Sequence, residues 1–299
     1  MSFESVDRRA RLANLPRPML WVIAARFKTV SLSQVPVLAG SWLALQAGAF
    51  RLDALIAALF AAGAIQVGTN LWNDAADAAS GVDRADRLGP PRMTALGLLD
   101  AAAVRRAAMG ASAAAALAGL YLALIGGWPI VAIGLVSLAL GYLYSMGPRP
   151  LSGLPFGELL VIAFFGLVAV SGTVHLHGGA ALAAETLAVG MMIGLPAAAV
   201  LMLNNHRDRV QDARGGRRTL AIVIGPGRSR LVYVAALLGG LALAAVLAPS
   251  LWLLPVAALA LWLGHAIWHW PVSARLNRLL GQTALYQLLL LLAWGLGGR

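Results

Sequence analysis

Apolar residues run through this chain in blocks of about 18 to 22, the length that carries a helix across a hydrocarbon core at 1.5 Å per residue. About nine such blocks follow one another with little polar sequence between them, at roughly 29–49, 53–73, 104–126, 128–146, 156–176, 183–205, 229–249, 251–268 and 281–297. The blocks are continuous and rich in Leu, Ala and Gly, without the ten-residue alternation of a barrel strand. Backbone amides at membrane depth must find their partners within the segment, so these blocks predict helices. The expected fold class is all-α, a polytopic membrane helical bundle of about nine transmembrane helices. Residues 1–28 carry several arginines and no uninterrupted apolar core, and read as a cytoplasmic N-terminal arm. Residues 29–299 read as a single transmembrane domain.

Composition agrees with lipid as the solvent. Of the 299 residues 60% are hydrophobic and 12% charged, and the mean hydropathy is +0.78. There is no cysteine, which excludes disulfides, thiolate metal sites and cysteine nucleophiles. A net charge of +11 would suit nucleic acid, but its distribution describes membrane topology instead. With the N-terminus inside, every Lys and Arg except Arg51 and Arg299 falls on one side of the predicted spans. Positive residues mark cytoplasmic loops, so the N-terminus is expected there and no nucleic-acid partner is expected.

Two inner loops, about 74–103 and 206–228, hold most of the acidic residues. In the first, Asn70, Asn73, Asp74 and Asp77 stand at i, i+3, i+4 and i+7, one stripe of a helix if the second span continues through them. In the second, Asn205, Asp208 and Asp212 stand at i, i+3 and i+7 and share a face in the same way. Carboxylates gathered at the mouth of a membrane bundle repel one another unless a cation neutralises them. Oxygen-only ligands select a hard cation, and magnesium favours a few carboxylates together with substrate phosphate oxygens. A phosphorylated substrate follows, and the interleaved Arg87, Arg92, Arg207, Arg214, Arg217 and Arg218 suit bidentate phosphate contacts. Caps and solvated loop charges explain one such cluster; they explain two, each led by asparagine at the inner end of an apolar span, much less well.

On those residues the chain resembles the UbiA-type intramembrane aromatic prenyltransferases, whose signature is N-D-x-x-D followed much later by D-x-x-x-D, and the resemblance covers nearly the whole chain. It implies nine helices around a central cavity open sideways to lipid, in a bacterial inner membrane. It also implies magnesium diphosphate bound by Asn73, Asp77, Asp208 and Asp212, with Asp74 and Asp83 assisting. Four segments are similar to the branch that prenylates 1,4-dihydroxy-2-naphthoate in menaquinone synthesis: ARFKTVSLSQVPVLAGSWLA (25–44), RLGPPRMTALGLL (87–99), YSMGPRPLSGLPFGELLVIAFFGLVAVSGT (144–173) and NNHRDRVQDARGGRRTLA (204–221). What the resemblance implies is magnesium-dependent transfer of a polyprenyl group from its diphosphate to that acceptor, with loss of carbon dioxide.

Such a reaction ionises an allylic C–O bond and must shield the cation from water. Tyr142, Tyr144, Phe164 and Phe165 are candidates for that lining, Tyr144 foremost because it lies at an inner span end. Arg26 and Lys28 are placed to hold an acid or phosphate, or to anchor the first span. Glu158 is placed to orient an arginine or serve as a base. His175 and His177 fall at the outer end of the fifth span and read as interfacial. Competing readings are another acceptor, such as 4-hydroxybenzoate, homogentisate or a tetrapyrrole, and a carrier for an anionic substrate, which calls for polar residues deep in the spans.

Overall fold

The computed structural model describes residues 9–79, 88–146 and 149–298, without the side chains of residues 28 and 77–79. Among them the regular structure is all helix, with no strand. In order the helices are α1 (Arg17–Ala25), α2 (Ser31–Gln46), α3 (Leu52–Ala79), α4 (Ala101–Leu143), α5 (Gly157–Leu176), α6 (Ala184–Arg214), α7 (Leu220–Leu247), α8 (Leu253–His269) and α9 (Leu276–Gly297). Six of these, α3 to α7 and α9, are long and apolar enough to cross a membrane, and α8 is a shorter apolar helix.

At 43 residues α4 would measure about 65 Å if straight, twice a hydrocarbon core of about 30 Å. It is not straight. Gly127, at φ 65 and ψ −156, takes a backbone shape closed to other residues, and Pro129 follows it. The neighbours of α3 show what happens there. Tyr121 reaches Asp53 at one end of α3, and Ser112 lies against Gly68 further along it. Past the break, Gly141 lies against Thr69, and Tyr142 meets Trp72 edge to face. The chain therefore comes back along α3, and α4 is a hairpin of two limbs that meet where the apolar blocks 104–126 and 128–146 divide. Gly225, at φ 80, and Pro226 break α7 in the same manner.

α6 is the most enclosed of the spans. It meets α5 where backbones nearly touch: a Cβ on Gly194 would lie 3.0 Å from the Gly166 Cα and 3.0 Å from the Ile162 carbonyl oxygen. Gly190 and Gly194 form a small-xxx-small seam, and α5 answers it with a π-helical stretch, Ile162–Val168. Gly194→Leu is expected to force these backbones apart at a cost of about 3 kcal/mol. A thermal-unfolding scan in detergent should show a lowered midpoint, and an unchanged midpoint would refute the close contact. Several polar side chains deeper in the bundle bond to neighbouring helices: Tyr233 and Thr283 share a 2.7 Å bond, Tyr286 donates to the Leu237 carbonyl, and Gln287 Nε2 to the Ile193 carbonyl.

The N-terminal segment is not all free arm. Leu20 and Ala24 of α1 are buried in a cluster with Leu71, Met93, Leu99, Val104 and Ala108, which seats α1 against the C-terminal part of α3 and the N-terminal part of α4. The opposite end is closed by His177. Its Nδ1 accepts from the Arg51 backbone N–H, so Nε2 carries the proton and donates to Ser41 at 2.9 Å. His175 bonds the Gly126 carbonyl nearby. These histidines hold helix ends together, a more definite role than interfacial placement.

Candidate functional site

Both acidic stripes lie on continuous helix. α3 runs on past its apolar block to Ala79 and α6 to Arg214, because a helix satisfies its own amides while polar side chains turn inward. Residues 205–212 are thus helical, as their spacing predicts, and the helix takes in the first part of the polar stretch 206–228. The end of α6 is set by glycine: Gly216 sits at φ 77, and the Arg217 N–H returns to the Asp212 carbonyl.

The members of the first stripe divide their work. Asn70 is buried and donates to the Ala25 carbonyl and Thr29 Oγ1, tying α3 to the turn after α1. Asn73 Oδ1 accepts from Ser145 Oγ at 2.6 Å. Asp74 is 1% exposed and faces the segment 88–99, where its carboxylate accepts the Met93 and Thr94 N–H groups at 3.0 Å and Thr94 Oγ1 at 2.6 Å. Arg92 is buried in the same segment. The side chains of Lys28 and Asp77, and Asp83 altogether, lie outside the described residues.

In the second stripe Arg207 is the organiser. Its Nε and Nη2 grip the two oxygens of Asp208 at 2.7 and 2.5 Å, while Nη2 and Nη1 also donate to Asn204 and Asn277 at 2.6 Å. Asp212 accepts from Arg217 at 3.0 Å. Asn205 donates to Glu158 Oε1 at 2.9 Å, and Glu158 Oε2 is buried with no hydrogen-bond partner among the described residues. The Arg218 side chain is exposed, and its backbone N–H donates to the Gly153 carbonyl.

Two bridges bring the stripes to one end of the bundle. Asn277, at the first turn of α9, takes Arg207 on its oxygen and gives its NH2 to the Leu88 carbonyl, linking α6 to the segment that Asp74 holds. The other bridge is the stretch after α4: Ser145 reaches Asn73, while the adjacent Tyr144 lies within electrostatic reach of Glu158, Arg217, Asp212 and Arg26. Burial, with the Glu158 charge adding to it, pushes the Tyr144 phenol up to about 12. Tyr144 therefore stays protonated at neutral pH and cannot serve as a base there. Tyr144→Phe is expected to leave the alkaline limb of the pH–rate profile below pH 10 unshifted; a shift of that limb would show the phenol titrating.

Arg26 stands at the turn between α1 and α2 in a left-handed conformation, φ 52, that costs a non-glycine residue about 1–3 kcal/mol. Asn204, Asn277, Ser145 and Thr94 were not marked from the sequence. Asn277 carried the one usable signal, a polar side chain at the inner edge of an apolar block.

Residues 33–294 match the family model described as the UbiA prenyltransferase family. The 1,4-dihydroxy-2-naphthoate octaprenyltransferase of Mycobacterium tuberculosis is 38% identical over 215 residues, 71% of this chain and 72% of that protein. The enzyme of the same name from Haemophilus influenzae is 30% identical over 294 residues, 93% and 95% of the two chains. Among solved structures, a UbiA homologue from Archaeoglobus fulgidus bound to DMAPP and Mg2+ superposes with a TM-score of 0.58 at 13% identity, covering 91% of this chain and 98% of that one. The fold is shared at that distance.

Proposed function

The chain belongs to the UbiA prenyltransferase family and is an intramembrane prenyltransferase, and on that premise we propose that it moves a polyprenyl group from its diphosphate to 1,4-dihydroxy-2-naphthoate. The observation that carries the reading is the double bridge holding both Asn/Asp stripes at one end of the bundle. Relatives named for the naphthoate acceptor support its choice.

The donor set fits magnesium. It is all oxygen, and an ionised carboxylate offers about four lone-pair positions, so the fork of Arg207 leaves Asp208 with acceptor capacity to spare. Asn73, Asp77, Asp83, Asp208 and Asp212 would hold the metal. Magnesium, when bound, supplies charge neutralisation for the departing diphosphate.

The chain's own residues do the rest. Arg207 fixes the orientation of the Asp208 carboxylate through its two-pronged contact. Arg217, Arg92, Arg218, Arg26 and Lys28 bind the diphosphate or the acceptor carboxylate. Tyr144, protonated, offers its ring face to the allylic cation and keeps water away from it. The unpartnered Glu158 Oε2 holds an acceptor hydroxyl, with Asn205 orienting the carboxyl through Oε1. The allylic C–O bond breaks, the acceptor ring carbon bonds to the prenyl carbon, and the carboxylate leaves as carbon dioxide. The products are diphosphate and demethylmenaquinone in its quinol form.

Counting α4 as two limbs, α2 through α9 make nine crossings in a bacterial inner membrane, with the mouth on the cytoplasmic side. Purified protein given magnesium, a labelled polyprenyl diphosphate and single acceptors should prenylate dihydroxynaphthoate and release carbon dioxide. Preferential use of 4-hydroxybenzoate, homogentisate or a tetrapyrrole would overturn the acceptor assignment while leaving prenyl transfer intact.

A further inference from the structure

Between them α7 and α8 leave a groove of about 260 Å³, lined along its length by Val234, Leu238 and Gly264. Leu261 along its edge is 66% exposed, so the groove opens onto the lipid-facing surface. Its inner end is of a different character. Trp268 and His269 close it, and the Arg230 guanidinium carbon lies 5.5 Å from the Trp268 ring centroid. Arg230 is one residue past Ser229, which bonds His206 of α6, so this end of the groove is level with the inner end of the bundle.

A second guanidinium belongs to the same place. Arg209 and Arg230 both lie within electrostatic reach of the His206 ring. Arg209 stands at the border of the Asn205, Asp208 and Asp212 stripe, four positions on from Asn205 and three on from His206, whose ring turns to Ser229 of α7. Among the described residues neither arginine has a carboxylate partner, and Arg209 Nη1 and Arg230 Nε are buried without a hydrogen-bond acceptor. Two cations on neighbouring helices, with inward-turned donors and no acid between them, lack an anion.

We propose that this is a binding site for an anionic phospholipid of the phosphatidylglycerol type, its phosphate held by Arg230 and Arg209 beside Trp268 and one acyl chain lying in the α7–α8 groove. Charge complementarity selects the headgroup: an arginine fork satisfies phosphate oxygens, and a zwitterionic lipid would bring a third cation to a site that already has two. An indole at the end of an apolar groove suits the depth at which headgroup meets acyl chain. Gly264 keeps the groove open, since a Cβ there would already touch Val234 at 3.5 Å. The groove lies outside the acidic stripes, and Arg209 stands at the border between the two.

The test uses the full chain, delipidated in detergent, with phosphatidylglycerol, phosphatidylcholine or inorganic phosphate added. Phosphatidylglycerol should raise the thermal-unfolding midpoint and remain bound in native mass spectra, while phosphatidylcholine and phosphate should not. Arg209→Gln and Arg230→Gln should each weaken retention of that lipid about tenfold or more, and Arg230→Gln should leave magnesium-dependent prenyl transfer in excess lipid unchanged. Gly264→Leu, which fills the groove and spares both arginines, should weaken retention as well. Equal effects of the two lipids, an equal effect of phosphate alone, or full retention by the variants would overturn the proposal.

Discussion

Asp208→Asn is expected to cut prenyl transfer by about 10²–10³-fold, the scale seen when one preorganised electrostatic partner of a developing charge is lost. The substitution keeps the shape of the side chain but removes its charge, both from the metal set and from Arg207. That second loss is felt in the fold. The Arg207 side chain is 1% exposed, and breaking a buried ion pair by removing one partner costs about 3–5 kcal/mol. Asn204 and Asn277 still accept from the guanidinium and soften the penalty. The two effects separate when magnesium and substrate diphosphate are added during unfolding. The wild-type midpoint should rise, and the variant should start lower and respond weakly. Wild-type turnover in Asp208→Asn would remove Asp208 from the machinery.

Asp74→Ala is the second large expected loss, and it reaches the site indirectly. It strands the Met93 and Thr94 N–H groups in a buried place, at about 1–3 kcal/mol for each unsatisfied donor. The segment 88–99 is also held by Asn277 at Leu88, so it should loosen and not detach. Limited proteolysis should cut within 88–99 faster than in the wild type, and activity should fall in step. An inactive Asp74→Ala protein with wild-type protease resistance would place Asp74 on substrate and not in this structural role.

Those two aspartates show where reading the sequence succeeds and where it stops. The apolar blocks are legible because membrane depth imposes length and internal amide satisfaction, and the division between blocks at Gly127 and Pro129 is where the chain turns back. Stripe membership is legible too, since α3 and α6 are helical through their acidic residues. Function within a stripe is not. Asn70, Asn73 and Asp74 share one face by spacing, yet one ties down α1, one meets Ser145 and one holds the segment 88–99. Spacing fixes direction about a helix axis, and the identity of the neighbour comes from tertiary packing. Asn277 was missed for the same reason: its partner Arg207 lies 70 positions away, and a single polar residue has no period. The exact end of α6 at Arg214 is not legible, because polar residues at a bundle's mouth serve equally in a helix facing inward and in the loop that follows it.

In the proposed reaction the two Asn/Asp stripes act together on a magnesium-bound prenyl diphosphate. Diphosphate release by the purified protein, followed against magnesium concentration with a polyprenyl diphosphate and dihydroxynaphthoate, tests it most directly. Release should require magnesium, match the formation of prenylated product mole for mole, and be lost in Asp208→Asn. Release that persists after complete chelation of divalent metal, or that is untouched in the variant, would contradict it.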